Sequence, residues 1–136
     1  MKRIAFALFA STSLALAQSS ECEPTTVPPG TPRLMVEPLR VHWSEISCAV
    51  VYDLVAGDLR ELRRSGGDYA LATRVCVAND APPPGIAFDA KPEPGSGYWL
   101  LVRGVGPGGP GTYNTPAPTQ VGDRDPGIAA SGAACP

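Results

Sequence analysis

Histidine is almost absent from this 136-residue chain, and His42 stands alone. That leaves the commonest general base with one copy and removes any pair of imidazoles that would hold a metal. The four cysteines, Cys22, Cys48, Cys76 and Cys135, are widely spread and contain no C-x-x-C pair, so they do not read as zinc ligands. Positive charge is not in excess: the formal net charge is −2 and the arginines are scattered, which argues against nucleic acid and anionic lipid as partners. Beyond the first seventeen residues, no apolar run is long enough to cross a bilayer. The chain shows no internal repeat.

What is present begins at the N-terminus. Met1, Lys2 and Arg3 precede an uncharged run, residues 4–17 (IAFALFASTSLALA), which ends in Ala15-Leu16-Ala17. A basic start, a short apolar stretch and a small-x-small end form a secretory signal peptide over residues 1–17. Cleavage after Ala17 would remove 17 of the 136 residues and leave 119, one domain's worth of chain, with the net charge moved from −2 to −4 by the loss of Lys2 and Arg3. The expected location is therefore secreted or periplasmic. In an exported chain an even number of cysteines reads as two disulfides, with three possible pairings.

Residues 18–32 form a polar, Pro-rich lead-in, tied down through Cys22. In the next stretch Leu39, Val41 and Trp43 alternate with Arg40, His42 and Ser44, so one face is expected in a core and the other in water. Residues 49–55 (AVVYDLV) carry the β-branched and aromatic content of a second strand, with Tyr52 in the core. Asp58 can cap a helical turn over residues 59–64, and Gly66-Gly67 stops it. Further strands are expected over residues 69–77, 86–88 and 98–105, with rigid turns at 79–85 and 92–97 and a Gly/Pro loop at 106–111. After Tyr113 the chain is a Pro/Gly-rich tail, and any last strand is short and at an edge. Residues 33–136 therefore read as one all-β domain, a β-sandwich with a short helical insert.

The order of these features resembles the fibronectin type III family over residues 33–120. Leu39-x-Val41-x-Trp43 is similar to that family's second strand with its core tryptophan, and Tyr52-x-Leu54 to its third. Pro94-Gly95-x-x-Tyr98-x-Leu100-x-Val102-x-Gly104-Val105 resembles the Pro-Gly turn, tyrosine corner and long sixth strand. The string GDL…LRRSGGDY…CVAND resembles a variant found in secreted bacterial proteins. Three departures stand out: Pro92 where the family has Leu, the helical insert, and a poorly marked last strand. The resemblance implies an immunoglobulin-like sandwich whose core holds Trp43, Tyr52, Tyr98, Leu100 and Val102. It also implies bridges Cys22–Cys48 and Cys76–Cys135, because the lead-in and the loop between the second and third strands share one pole. The family implies binding or spacing, and fold alone does not fix function.

Several motifs invite a sharper reading. Residues 104–109 fit G-x-G-x-x-G, but Pro107 and Pro110 remove backbone donors and no helix follows to face a phosphate. His42 and Ser44, with Glu45 nearby, lie two apart on a strand and project in parallel, so they are not aimed at each other as a triad requires. Asp123-x-Asp125-x-Gly127 lacks the downstream carboxylate of a calcium loop and reads as a polar turn. Arg60, Arg63 and Arg64 make a local basic patch near a helix C-terminus, either solvated or in contact with an anion or protein. Trp99 alternates with the core set, so by period it faces outward beside Leu101 and Arg103 as a contact patch; the other reading is that the helical insert covers it.

No catalytic, cofactor or metal residue emerges. The expected function is a non-catalytic secreted binding or structural module, one that contacts an unknown protein or glycan or stabilises an envelope assembly. Two alternatives remain: an inhibitor or toxin acting through a loop such as residues 104–111, and a small secreted hydrolase, which the single imidazole disfavours.

Overall fold

The computed structural model describes residues 22–136, so the expected signal peptide and its cleavage site at Ala17–Gln18 lie outside the described residues. Seven strands form two antiparallel sheets. The first sheet has the order β1 (Leu34–Glu37), β2 (Arg40–Trp43), β5 (Gly85–Ala87). The second has the order β4 (Thr73–Ala81), β3 (Val51–Asp58), β6 (Tyr98–Gly106), β7 (Gly109–Pro110). Three short helices accompany them: α1 (Leu59–Arg64), α2 (Tyr69–Ala72) and α3 (Asp125–Ala130).

The sheets share one core. Val41 and Trp43 from β2 meet Tyr52 and Leu54 from β3, Ala81 from β4 and Val102 from β6, with Leu34, Ile86 and Leu100 packed against them. Alternation along the strands produces this face, as their period of two requires. The rings of Trp43 and Tyr52 lie 5.5 Å apart. The Tyr52 hydroxyl accepts the Ile46 N–H at 3.0 Å, which satisfies its buried polar end.

A second core covers the opposite face of the four-stranded sheet. It joins Val55, Ala72, Trp99, Tyr113, Ile128 and Cys135, with Leu59, Leu62, Tyr69 and Leu101 around them. The helical insert and the C-terminal segment thus form a third layer. The bridge Cys76–Cys135 anchors that layer to β4, while Cys22–Cys48 ties the lead-in to the loop before β3. Both pairings are those implied by the family resemblance.

Several elements differ from the sequence reading. Leu39, expected inward, is 68% exposed, because it sits in the tight turn between β2 and a strand β1 that the pattern did not reveal. Residues 69–72 are helical rather than strand: Asp68 accepts the N–H groups of Ala70 and Leu71 and caps a turn before β4 begins. β4 runs on through residues 79–81, expected as turn, with register shifts against β3 and Asp80 at φ 52°. Residues 106–111, expected as a Gly/Pro loop, form a tight hairpin joining β6 to β7. The tail contributes α3 and the buried Ile128 and Cys135.

Gly57 shows how closely the third layer is seated. A Cβ there would lie 2.2 Å from both the Ala72 carbonyl oxygen and the Trp99 ring. Gly57→Ala is therefore expected to cost about 1–3 kcal/mol through overpacking. Chemical denaturation monitored by circular dichroism measures it; an unchanged midpoint would mean the layer is not held this close.

Candidate functional site

The third layer decides the fate of the expected contact patch. Trp99, Leu101 and Arg103 do share a face of β6, but that face is covered. Trp99 is only 9% exposed and packs edge-on against Tyr69, with ring centroids 5.2 Å apart. Leu101 joins the same core. Arg103 pairs with the buried Asp53, its direct cross-strand partner, at 2.9 Å from Nε and 2.8 Å from an Nη. Its guanidinium also lies 4.8 Å from the centroid of the Tyr113 ring. Asp53 accepts the Asp80 N–H at 3.1 Å as well, so its two oxygens bind β4 and β6 to β3. Burial pushes the Tyr113 hydroxyl well above its usual range, and the neighbouring Arg103 cation only partly opposes this. The patch is an internal joint, not a docking surface.

Tyr98 is corrected in the opposite sense. Expected in the core, it is 43% exposed at the rim of the sheets, edge-on to Phe88, and its hydroxyl donates to the Lys91 carbonyl at 3.4 Å. The strand begins here beyond the cover of the first sheet. Leu100 is partly buried against the shared core, and Trp43, Tyr52 and Val102 lie within it.

The chemical candidates are dispersed over structural tasks. His42 Nδ1 lies 3.7 Å from Glu37 on the neighbouring strand, and the Ser44 hydroxyl oxygen accepts the Arg33 N–H at 2.9 Å. Asp125 accepts from the Thr112 hydroxyl, the Tyr113 N–H and the Asn114 amide, and Asp123 accepts from that amide too. Asn114 is the hub of this loop. Its amide nitrogen donates to both aspartates, and its oxygen accepts from Gln120 at 2.7 Å and from the Arg124 N–H at 2.9 Å. The Asp-x-Asp signal thus marks a self-bonded turn, the general habit of Asn and Asp in loops. Among the described residues, no group of three His, Cys, Asp or Glu side chains is placed to hold a metal.

The basic patch lines a cleft of about 250 Å³ together with Leu59 and residues 95–97; Arg60 donates to the Gly95 carbonyl at 3.0 Å. Arg64 turns away to Glu61. At the start of α1, the Glu61 N–H bonded to Asp58 holds that carboxyl below its usual range. A depressed carboxylate stabilises the fold above its unfolded value of 3.8, and that contribution disappears as pH falls through the lower folded value. The Glu61 amide proton shift, followed by NMR against pH, should therefore show its midpoint below 3.8, and a midpoint above it would contradict the cap.

A larger cleft, about 350 Å³, runs along β6. Leu100, Leu101 and Val102 form its floor, residues 31–34, from the end of the lead-in to the start of β1, one wall, and Thr115 and Arg124 the other. The Thr31 hydroxyl donates to the Asn114 carbonyl and closes one end. Beyond Gly104 the floor is a strand edge with no neighbouring strand. β7 pairs only with residues 105 and 106, and the Gly111 N–H reaches the Gly104 carbonyl at 2.8 Å. Since Gly104 faces β7, alternation turns the N–H and C=O groups of Val102 and Leu100 the same way, away from β3. Among the described residues, no backbone group pairs with them there. No carboxylate lines the cleft, whereas Arg33 and Arg124 both do. Sequence reasoning missed this site because it depends on where β7 stops.

Compared with protein-family models, with curated proteins and with solved structures, the chain finds no match in any of the three.

Proposed function

We propose that this protein is a secreted, fibronectin type III-like module that works by surface contact rather than by catalysis. Two antiparallel sheets around a buried tryptophan on β2 and a buried tyrosine on β3, with the family's Pro-Gly turn leading into β6, support the fold reading. Two disulfides fit an oxidising compartment, and among the described residues no helix is long and apolar enough to cross a membrane.

The observation that carries the functional reading is the cleft on the open edge of β6. It offers unpaired main-chain donors and acceptors, apolar floor and cationic walls, which are recognition groups without an activated nucleophile or base beside them. The partner is a protein or glycan outside the cytoplasm. A hydrolase would need a base, either His42, the one imidazole, or a carboxylate, so the test is turnover of ester, peptide, glycoside and phosphate-ester chromogens by the oxidised, exported protein. No turnover is expected. Turnover of any of them by the purified protein, whether or not His42→Ala abolishes it, would overturn the reading.

A further inference from the structure

We propose that the β6 cleft receives an extended peptide segment bearing acidic side chains, which adds to the second sheet as a strand antiparallel or parallel to β6. The inference rests on the surface-contact reading above and names the class of partner.

The second sheet has two outer edges, and they differ in kind. The β4 edge is spoiled as a template: three register shifts break its pairing with β3, and Asp80 takes a left-handed conformation. Such bulges are how sheets discourage further pairing. β6 is the reverse. It pairs with β3 in unbroken register from Val51↔Val105 to Asp58↔Tyr98, so its outer edge presents a regular row. A regular, unpaired row is the surface to which extended peptides add, with main-chain bonds supplying affinity and flanking pockets supplying specificity.

Burial adds force to this. Val102 is only 3% exposed and Leu100 is partly buried, and both line the cleft. Buried backbone groups are strongly driven to find partners. An added strand supplies them at Leu100 and Val102 together, because both face the same side.

Charge selects the segment. Arg33 is exposed and makes no ion pair among the described residues, and Arg124 reaches the Tyr113 carbonyl rather than a carboxylate. Two cations flank a floor of Leu and Val, so the complementary segment alternates apolar residues with Glu or Asp. A second copy of this chain inserting the same edge would bring the arginines together and is disfavoured by repulsion.

The test uses the oxidised, exported protein and three fluorescein-labelled eight-residue peptides of alternating Val and Thr, in which two central Thr are unchanged, both Glu or both Lys. Fluorescence anisotropy should show the Glu peptide binding at least about tenfold more tightly than the Lys peptide, with affinity falling as salt rises. Amide exchange followed by NMR should slow at Leu100 and Val102 and stay unchanged at Leu101 and Arg103. Leu100→Pro removes an outward N–H together with the side chain that packs on the shared core, so it is read beside Leu100→Ala, which loses the same packing and keeps the N–H: the Pro variant should lose binding and the Ala variant keep it. Arg33→Glu with Arg124→Glu provides an independent variant that leaves the core intact and should reverse the peptide preference. Equal binding of the Glu and Lys peptides, binding without protection at Leu100 and Val102, or no binding up to about 1 mM overturns the acidic-strand proposal. None of these outcomes produces turnover, so the contact-module reading stands or falls separately.

Discussion

Trp99→Ala will lower the stability of the protein by about 3–5 kcal/mol, the range for removing a large buried aromatic side chain. The ring fills the space above Gly57, where no Cβ fits, and packs edge-on to Tyr69. Removing it leaves a cavity between β3, β6 and α2, bounded by backbone on the Gly57 side and therefore slow to collapse. A small domain has a total margin of roughly 5–15 kcal/mol, so the loss is a large share of it. Denaturant unfolding of the oxidised protein measures the effect. Trp99→Phe should recover part of the loss, because a smaller ring still meets Tyr69. An unchanged midpoint for Trp99→Ala would mean that the third layer does not hold this ring, and the face would again be open for contact.

The second large effect is expected at the joint between β3 and β6. Asp53→Ala removes the partner of Arg103, whose side chain is 16% exposed, and leaves a cation under the C-terminal segment. Breaking a buried pair from one side costs about 3–5 kcal/mol, far more than an exposed pair contributes. The Asp80 N–H loses its acceptor at the same time. Replacing both members together, Asp53→Leu with Arg103→Met, should be much milder, since no charge is then stranded. A double-mutant cycle on unfolding free energy separates these cases. If Asp53→Ala and the double replacement destabilise equally, the ion pair is not what the joint depends on. Added salt should matter little to the native pair, because buried charges are weakly screened.

These expectations rest on elements that the sequence revealed to different degrees. Alternation placed Trp43, Tyr52 and Val102 in one core, since a period of two is a local property of the chain. Asp58 and Gly66-Gly67 marked the bounds of α1 for the same reason. Residues 69–72 misled because their apolar content suits either state; the capping oxygen of Asp68 tips them into a helical turn. The face of β6 bearing Trp99, Leu101 and Arg103 was legible as a face, and cover by the helical insert was one of its two readings; the part played by the C-terminal segment was not legible. Its cover comes from α2 and from Ile128 and Cys135, which lie far along the chain.

Local and covalent features were legible in the order of residues: enough cysteine for two disulfides, strand periodicity, helix caps, and a shortage of imidazole. Those follow from composition and from spacings of a few residues. Which surfaces remain open depends instead on contacts between distant parts of the chain. Asp53 meets Arg103 across fifty positions, and the C-terminal segment is carried by Cys76–Cys135 onto a face that would otherwise have been exposed. The same segment, once diverted into that layer, cannot continue pairing beside β6, so β7 ends at Pro110 and the edge at Leu100 and Val102 stays free. Burial and strand-edge pairing are sums over distant parts of the chain, and no local pattern encodes them.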